Sequence, residues 1–288
     1  MSHIRNLLHR TPGNELPASG SAAPKTAVSE PDASFGNVAT TVAVAAAPSV
    51  PEFAVEEAQL SPENRLVYLE DPRSPAADRF RLLRMRLKEH WTVGKLKKLL
   101  ITSPLPHDGK STAVLNLATA LAERGKRTVL VVEADLHHSS IAGSLRLKQW
   151  AGLSDCLVDD ATSPLSAIRR IEPLGWYLLP AGEPRRNPTE LLQTPAFGQI
   201  LQKIVPYFDW VLMDSPPVVP LTDSISLQQH ADASLLVVRA GRTPREAIEQ
   251  SIALLGKKHI LGIVLNGIEA SDHSYYQYYD RNRQHQED

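Results

Sequence analysis

Apolar residues recur along the last two-thirds of the chain in two alternating rhythms. The runs KLLITS (98–103), TVLVVEAD (128–135), WYLLPAG (176–182), FDWVLMDS (208–215), SLLVVRA (234–240) and ILGIVLNG (260–267) are short and almost continuously apolar. Strands buried on both faces of a parallel sheet read this way. Between them lie stretches of helical spacing at 111–123, 187–204, 222–230 and 244–255. This alternation predicts an α/β fold, a doubly wound and mostly parallel sheet of about 200 residues. Upstream, Ser74 followed by Pro75 marks a helix start, and Phe80, Leu83 and Leu87 continue it as an amphipathic helix.

Two segments follow neither rhythm. Residues 1–62 are rich in Ala, Pro, Ser and Thr with few large apolar side chains, and such a composition predicts a disordered arm that cannot offset the entropy of ordering. Residues 271–288 form a polar tail, yet they hold Tyr275, Tyr276, Tyr278 and Tyr279, four of the chain's seven tyrosines. The expected organisation is therefore an arm at 1–62, one domain at 63–270 and a tyrosine-cluster tail at 271–288. Tyrosines in a polar tail serve no core; they read as an acceptor segment, or as a short aromatic strand or docking patch.

Composition narrows the partners. Among 288 residues, 31 Lys and Arg face 32 Asp and Glu, a net charge of −1, so no strong field favours nucleic acid or an anionic membrane, and no nucleic-acid partner is expected. A lone cysteine, Cys156, forms no internal disulfide, which points to a reducing, cytoplasmic setting. The start MSHIRNLLHR has no apolar stretch behind it, and the greasiest run, 42–47, stops at Pro48, far short of the roughly 20 residues of a spanning helix.

The first apolar run leads into PLPHDGKST and then into a helical segment. That order is the setting in which loop amides and a helix N-terminus face a phosphate, Lys110 adds a point charge and Ser111 takes a place on Mg²⁺. Asp108, Gly109, Lys110, Ser111 and Thr112 are the candidate nucleotide contacts, although Pro104 stands where the pattern has its first glycine. The bland alternative is a GKST that only caps a helix. Acids at two other strand ends argue for the phosphate site: Glu133 and Asp135 close one strand and Asp214 another, and a buried carboxylate there needs a counter-charge such as Mg²⁺. Asp214 reads as a Walker B acid, or else as a helix cap. His137 and His138 lack a third ligand nearby and read as a solvated pair.

These residues resemble a known family. PHDGKSTAVLNLATALA, TVLVVEADLHHSS, FDWVLMDSPPVVPLTDS, VVRAGRTPREAI and ILGIVLNGIE, with PAGEPRRNPTELLQTPAF between them, are similar in order and spacing to bacterial tyrosine kinases of the CpsD/CapB type. The resemblance spans about residues 70–280. It implies a P-loop NTPase fold of the MinD/ParA-like kind and transfer of phosphate from ATP with Mg²⁺ to tail tyrosines, in the control of exopolysaccharide or capsule assembly. By the same resemblance Lys110, Glu133, Asp135 and Asp214 are catalytic, Ser111, Asp135 and Asp214 hold Mg²⁺, and Asn266 joins the nucleotide site. Asp78, Arg81 and Arg84 match an oligomerisation helix with Asp for Glu, implying a homo-oligomer. The implied partners are a transmembrane polysaccharide co-polymerase as activator, at the inner face of the plasma membrane, and a cognate tyrosine phosphatase.

Departures from the family pattern are specific. Glu133 replaces an Asp, and one methylene at an acting carboxylate shifts it by about 1 Å, which costs on the order of 10²-fold in rate. His137 replaces an Arg, and His107 and Asp108 replace a smaller pair. They favour a second reading, a catalytically weak ATP-binding scaffold of the same pathway. A MinD/ParA-like ATPase is the third, and Leu105, where those proteins carry a second lysine, speaks against it.

Overall fold

The computed structural model describes residues 51–92, 94 and 96–268. Eight strands form one sheet: β1 (Ala54–Glu57), β2 (Lys98–Thr102), β3 (Val129–Glu133), β4 (Arg169–Glu172), β5 (Trp176–Leu179), β6 (Trp210–Asp214), β7 (Ala233–Arg239) and β8 (Ile260–Asn266). Their spatial order is β1-β4-β5-β3-β6-β2-β7-β8. Every neighbouring pair is parallel except β4 and β5, an antiparallel hairpin. The helices are α1 (Val67–Glu70), α2 (Pro75–Thr92), α3 (Lys110–Ala122), α4 (Ile141–Ser144), α5 (Leu153–Val158), α6 (Pro188–Leu192), α7 (Pro195–Ile204), α8 (Asp223–Gln228) and α9 (Arg245–Leu255). Among the described residues no helix is long and apolar enough to cross a membrane.

The continuous apolar strands are explained by burial on both sides. Leu99, Ile101, Val129, Val131, Leu212, Leu235 and Val237 point to one face, where α2 and α3 supply Leu87, Val114, Leu117 and Leu121. Leu100, Leu130, Val132, Val211 and Met213 point to the other, against Leu153, Leu192, Phe197 and Ile200 of α5, α6 and α7. Trp91 of α2 stacks on the buried Trp210 at 6.2 Å between ring centres and hands its indole N–H to the Asp209 carbonyl, 3.1 Å away. Aromatic burial and a satisfied indole together fix α2 across the sheet. Cys156, a free thiol, faces the second core, where desolvation pushes its pKa up to about 11.

Three expectations need correction. Composition places the arm at 1–62, but Ala54–Glu57 is a paired edge strand, in register with Arg169–Glu172. Its apolar pattern is too short to read alone, and the preceding Phe53 supplies the anchoring, with Tyr177 and Phe208 rings at 5.2 and 5.7 Å. Residues 187–204 form two helices, α6 and α7, because Thr194 is extended before Pro195 opens the second, as the residue before a proline must leave the helical region. The strand β4 was not expected, since its RRIE alternation offers one buried residue, Ile171. The end of the domain at 270 and the tail lie outside the described residues.

Because Phe53 is half-buried in that aromatic group, Phe53→Ala is expected to lower stability by about 2 kcal/mol, below the full cost of a buried Phe. Chemical denaturation monitored by tryptophan fluorescence checks this; an unchanged midpoint would mean that β1 contributes nothing to the fold.

Candidate functional site

Parallel strands place their carboxyl ends on one edge, and the topology brings β2, β3 and β6 side by side there. In the register of β3 with β6, Glu133 lies opposite Asp214, and Ile101 of β2 lies opposite Asp214 on the other side. Asp214 is the last residue of its strand and fully buried, so its carboxylate sits at the floor of the edge. The chain leaving β2 loops over this floor and enters α3 at Lys110, directly above it.

The loop is held by its own side chains. Gly109 adopts φ +95°, a conformation open to glycine at no steric cost. A Cβ there would lie 1.9 Å from the Asn266 amide nitrogen, so a larger residue would have to displace that side chain. That amide donates to the Asp108 carbonyl at 3.0 Å. The Asp108 carboxylate is buried and fully engaged: it accepts the Leu105 N–H at 3.0 Å and the Thr243 hydroxyl at 2.7 Å. Arg239 donates to the His107 carbonyl at 3.1 Å. Thus Asp108 and Asn266, both expected to touch nucleotide, have side chains that shape the loop. Thr112 stands in the first turn of α3, where its carbonyl accepts the Asn116 amide at 2.9 Å.

Below the loop, Lys110 Nζ lies 2.8 Å from Asp135 and 3.8 Å from Asp214. Burial works against its ammonium, but Asp214 and Asp135 outweigh that and hold its pKa above the ordinary lysine value. Ser111 donates to Asp214 Oδ2 at 2.8 Å and accepts from Ser140 Oγ at 3.0 Å. Asp214 Oδ1 is buried without a hydrogen-bond partner. Its carboxyl is driven up to about 6, chiefly by desolvation that Lys110 and Ser111 only partly offset. Three buried carboxylates, Glu133, Asp135 and Asp214, thus surround one ammonium. The excess of negative charge, the orphaned oxygen and the serine hydroxyl are a hard-oxygen set that suits Mg²⁺.

Glu133 stands apart from the ion pairs. Its Oε1 accepts the Ile141 N–H at 2.6 Å and its Oε2 the Ala181 N–H at 3.2 Å. Burial raises its pKa, against the pull of amides at Ile141, Ala181, Ser140 and Ala142. The expectation that Glu133 acts directly on a substrate therefore meets a carboxylate already bonded through both oxygens to main chain. His137, read as solvated, instead bonds buried Asp223 at 2.8 Å and Thr189 at 3.3 Å. That ties the loop after β3 to the starts of α8 and α6. Nothing in the local sequence reveals this pairing, because its partners lie 86 and 52 residues away.

The residues expected to assemble a multimer occupy α2 as anticipated, yet they are engaged within the chain. Asp78 pairs with Arg81 at 2.5 Å, Arg81 also lies over the Tyr68 ring, and Arg84 donates to the Ala120 carbonyl at 3.1 Å near the end of α3. Leu82 and Met85 remain exposed beside them. The four tail tyrosines lie outside the described residues.

A carboxyl that keeps its proton to about pH 6 when folded, against 3.8 when unfolded, binds more protons in the folded state across that window. Stability of the metal-free protein therefore falls as pH rises through it, and the cost is fully present above. Asp214→Asn removes the cost and is expected to stabilise the metal-free protein at pH 7 by on the order of 1–3 kcal/mol, while abolishing stabilisation by Mg²⁺. Thermal melts at pH 5 and pH 7 with and without Mg²⁺ check both halves; a destabilised variant at pH 7 would contradict the electrostatic account.

Comparison with known proteins follows the same lines. A family profile described as an AAA domain matches residues 108–258. The chain is 29% identical over 219 residues to tyrosine-protein kinase YwqD of Bacillus subtilis, covering 75% of this chain and 92% of that one. It is 32% identical over 187 residues to tyrosine-protein kinase CpsD of Streptococcus pneumoniae, covering 63% and 80%. By contrast it spans only 28% of the succinoglycan biosynthesis transport protein ExoP of Rhizobium meliloti, at 29% identity over 74% of its own length. Among solved structures, the kinase domain of the Escherichia coli tyrosine kinase ETK superposes with a TM-score of 0.67 at 24% identity, covering 77% of this chain and 93% of that one. That likeness shows a shared fold.

Proposed function

The chain belongs to the bacterial tyrosine kinases of the CpsD/CapB type, and we propose that it transfers the γ-phosphoryl group of ATP to tyrosine hydroxyls, with Tyr275, Tyr276, Tyr278 and Tyr279 as its own acceptors. The observation that carries this reading is the arrangement of Lys110 between Asp135 and Asp214, with Ser111 on Asp214 and one Asp214 oxygen without a hydrogen bond. A P-loop nucleotide triphosphatase with these groups has what phosphoryl transfer asks of a protein, positioning and charge.

The roles follow from the atoms. Amides at the start of α3 and the Lys110 ammonium receive the phosphates. Ser111 and Asp214 are the residues that hold Mg²⁺, which when bound neutralises charge on the β- and γ-phosphate oxygens. Glu133 is bonded to main chain through both oxygens and Asp135 through Oδ1 alone, so Asp135 Oδ2, beside Lys110, is the oxygen left to take the tyrosine proton. As the tyrosine oxygen bonds to the γ-phosphorus, the bond to the bridging oxygen breaks and its electron pair leaves with ADP. Lys110, 2.8 Å from Asp135, lies where it can follow that shift of charge.

The scaffold reading draws on Glu133, whose engagement leaves one acid fewer for chemistry. It predicts nucleotide binding without transfer. The setting we propose is the inner face of the plasma membrane in exopolysaccharide or capsule assembly. There a separate transmembrane co-polymerase would activate the kinase, copies would associate through the Asp78, Arg81 and Arg84 face of α2, and a cognate phosphatase would reverse the mark. Support comes from the named relatives, among them a polysaccharide transport protein whose chain is much longer than this one.

Phosphotyrosine mass spectrometry of the full chain incubated with ATP and Mg²⁺ tests the reading, with the activator's cytosolic segment added in a parallel sample. Phosphate on residues 275–279 that Lys110→Met reduces by at least about 10²-fold is expected, the scale of losing one electrostatic donor. An unmodified tail in both samples, with ATP still bound, would overturn the kinase reading in favour of the scaffold.

A further inference from the structure

Ser140 occupies the N-cap of α4, where its carbonyl accepts the Ser144 N–H at 2.9 Å but its hydroxyl does not cap. Its side chain makes no capping hydrogen bond, although a serine there ordinarily accepts an amide of the first turn. Instead it donates to Ser111 Oγ at 3.0 Å. The hydroxyl is thereby turned away from its own helix and toward the cation residues. Ser140 is exposed, so nothing in the packing forces this orientation.

The reason lies one residue further on. The Ile141 N–H, adjacent to Ser140, is held by Glu133 Oε1 at 2.6 Å, and the other Glu133 oxygen holds the Ala181 N–H at 3.2 Å. Glu133 is fully buried at the end of β3, opposite Asp214 in register. One rigid strand therefore sets the loop of Ser140 relative to Asp214 on the neighbouring rigid strand. An aspartate, one methylene shorter, would stop short of the Ile141 amide unless the loop moved in.

The resulting oxygens have a telling spacing. Ser111 Oγ lies 2.8 Å from Asp214 Oδ2 and 3.0 Å from Ser140 Oγ. Adjacent ligands of an octahedral Mg²⁺, each at about 2.0–2.1 Å from the ion, are about 2.9 Å apart. The second Asp214 oxygen is buried without a hydrogen bond. We propose that Ser140 is a further hydroxyl for the Mg²⁺ held by Ser111 and Asp214, and that Glu133 is the positioning residue that keeps it there. The inference deepens the proposed function and rests on it for the identity of the ion and the nucleotide.

The test reads metal binding instead of phosphate transfer. The full chain is saturated with a non-hydrolysable ATP analogue and titrated calorimetrically with Mg²⁺. Ser140→Ala is expected to raise the half-saturating Mg²⁺ concentration at least about 10-fold, since loss of a group that merely supports a ligand already costs that much, and Ser140→Thr to restore it. Glu133→Asp should raise it similarly, and the double variant Glu133→Asp with Ser140→Ala should be no worse than either alone, since both remove one element. Glu133→Gln serves if the shorter side chain prevents folding, because its amide nitrogen cannot accept the N–H that the lost oxygen accepted. Affinity for the analogue in chelator should stay unchanged in every variant.

Half-saturation within twofold of wild type for Ser140→Ala would overturn the Ser140 assignment. A Glu133→Asp protein with unchanged Mg²⁺ dependence and faster phosphotyrosine formation would overturn the positioning role and return Glu133 to the substrate. A chain that binds the analogue and Mg²⁺ as expected but phosphorylates no tyrosine would refute the kinase reading alone and leave this inference standing. A chain that binds no nucleotide would overturn both.

Discussion

Desolvation of carboxylates at the ends of β3 and β6 is the constraint on which the site depends. Glu133, Asp135 and Asp214 are all essentially buried, and a buried charge is tolerated only when paired or hydrogen-bonded. The three acids meet that demand in different ways. Glu133 takes main-chain N–H groups, Asp135 takes the His138 N–H on one oxygen and the Lys110 ammonium on the other, and Asp214 takes the Ser111 hydroxyl on Oδ2 and, on Oδ1, no hydrogen bond but only the Lys110 charge 3.8 Å away. Only the last leaves an oxygen without a hydrogen bond, and such an oxygen at a sheet edge beneath a phosphate loop suits a divalent ion. The fold supplies the edge; the uneven partnering of three acids supplies the selectivity.

The phosphate loop shows the same logic of compensation. Pro104 removes a glycine that the common pattern uses, and His107 adopts a positive φ of 65° without being glycine. Loops with such residues need external fixing. Asp108 provides it from within, through the Leu105 amide, and from β7 and β8 through Thr243, Arg239 and Asn266. The loop is thus clamped from the far side of the sheet. Residues that look like ligands in the sequence, Asp108 and Asn266, reach the nucleotide site mainly by holding its backbone in place.

This separates what could be read in advance from what could not. Six strands and the long helices were legible because burial on two faces writes a continuous apolar run, and burial on one face writes a helical period. Lys110, Ser111 and Asp214 were legible because each closes or opens such an element. The edge strand β1 and the hairpin strand β4 were not, since a strand with one buried side chain or none leaves almost no pattern. The partner of His137 and the orientation of Ser140 depend on contacts between loops far apart in sequence, which no local period encodes. The engagement of Glu133 was not legible for a related reason: its identity shows a carboxylate, while its partners are set by which N–H groups the loops bring to it.

The substitution of Glu for Asp at position 133 then takes on a different meaning. Seen as an acting base, the longer side chain is a defect. In its surroundings the added methylene is what lets both oxygens reach amides on two separate loops, one following β3 and one following β5. A carboxylate satisfied by two N–H groups is also a poor proton acceptor for a substrate, because abstraction would break bonds that hold the loop. Proton transfer and loop positioning therefore compete for the same oxygens. Of the two remaining acids, Asp135 accepts the His138 N–H on Oδ1 and keeps Lys110 beside Oδ2, so a proton taken at Oδ2 leaves its one main-chain bond intact. The two acids thus differ in partners, Glu133 being bonded to main chain through both oxygens and Asp135 through one.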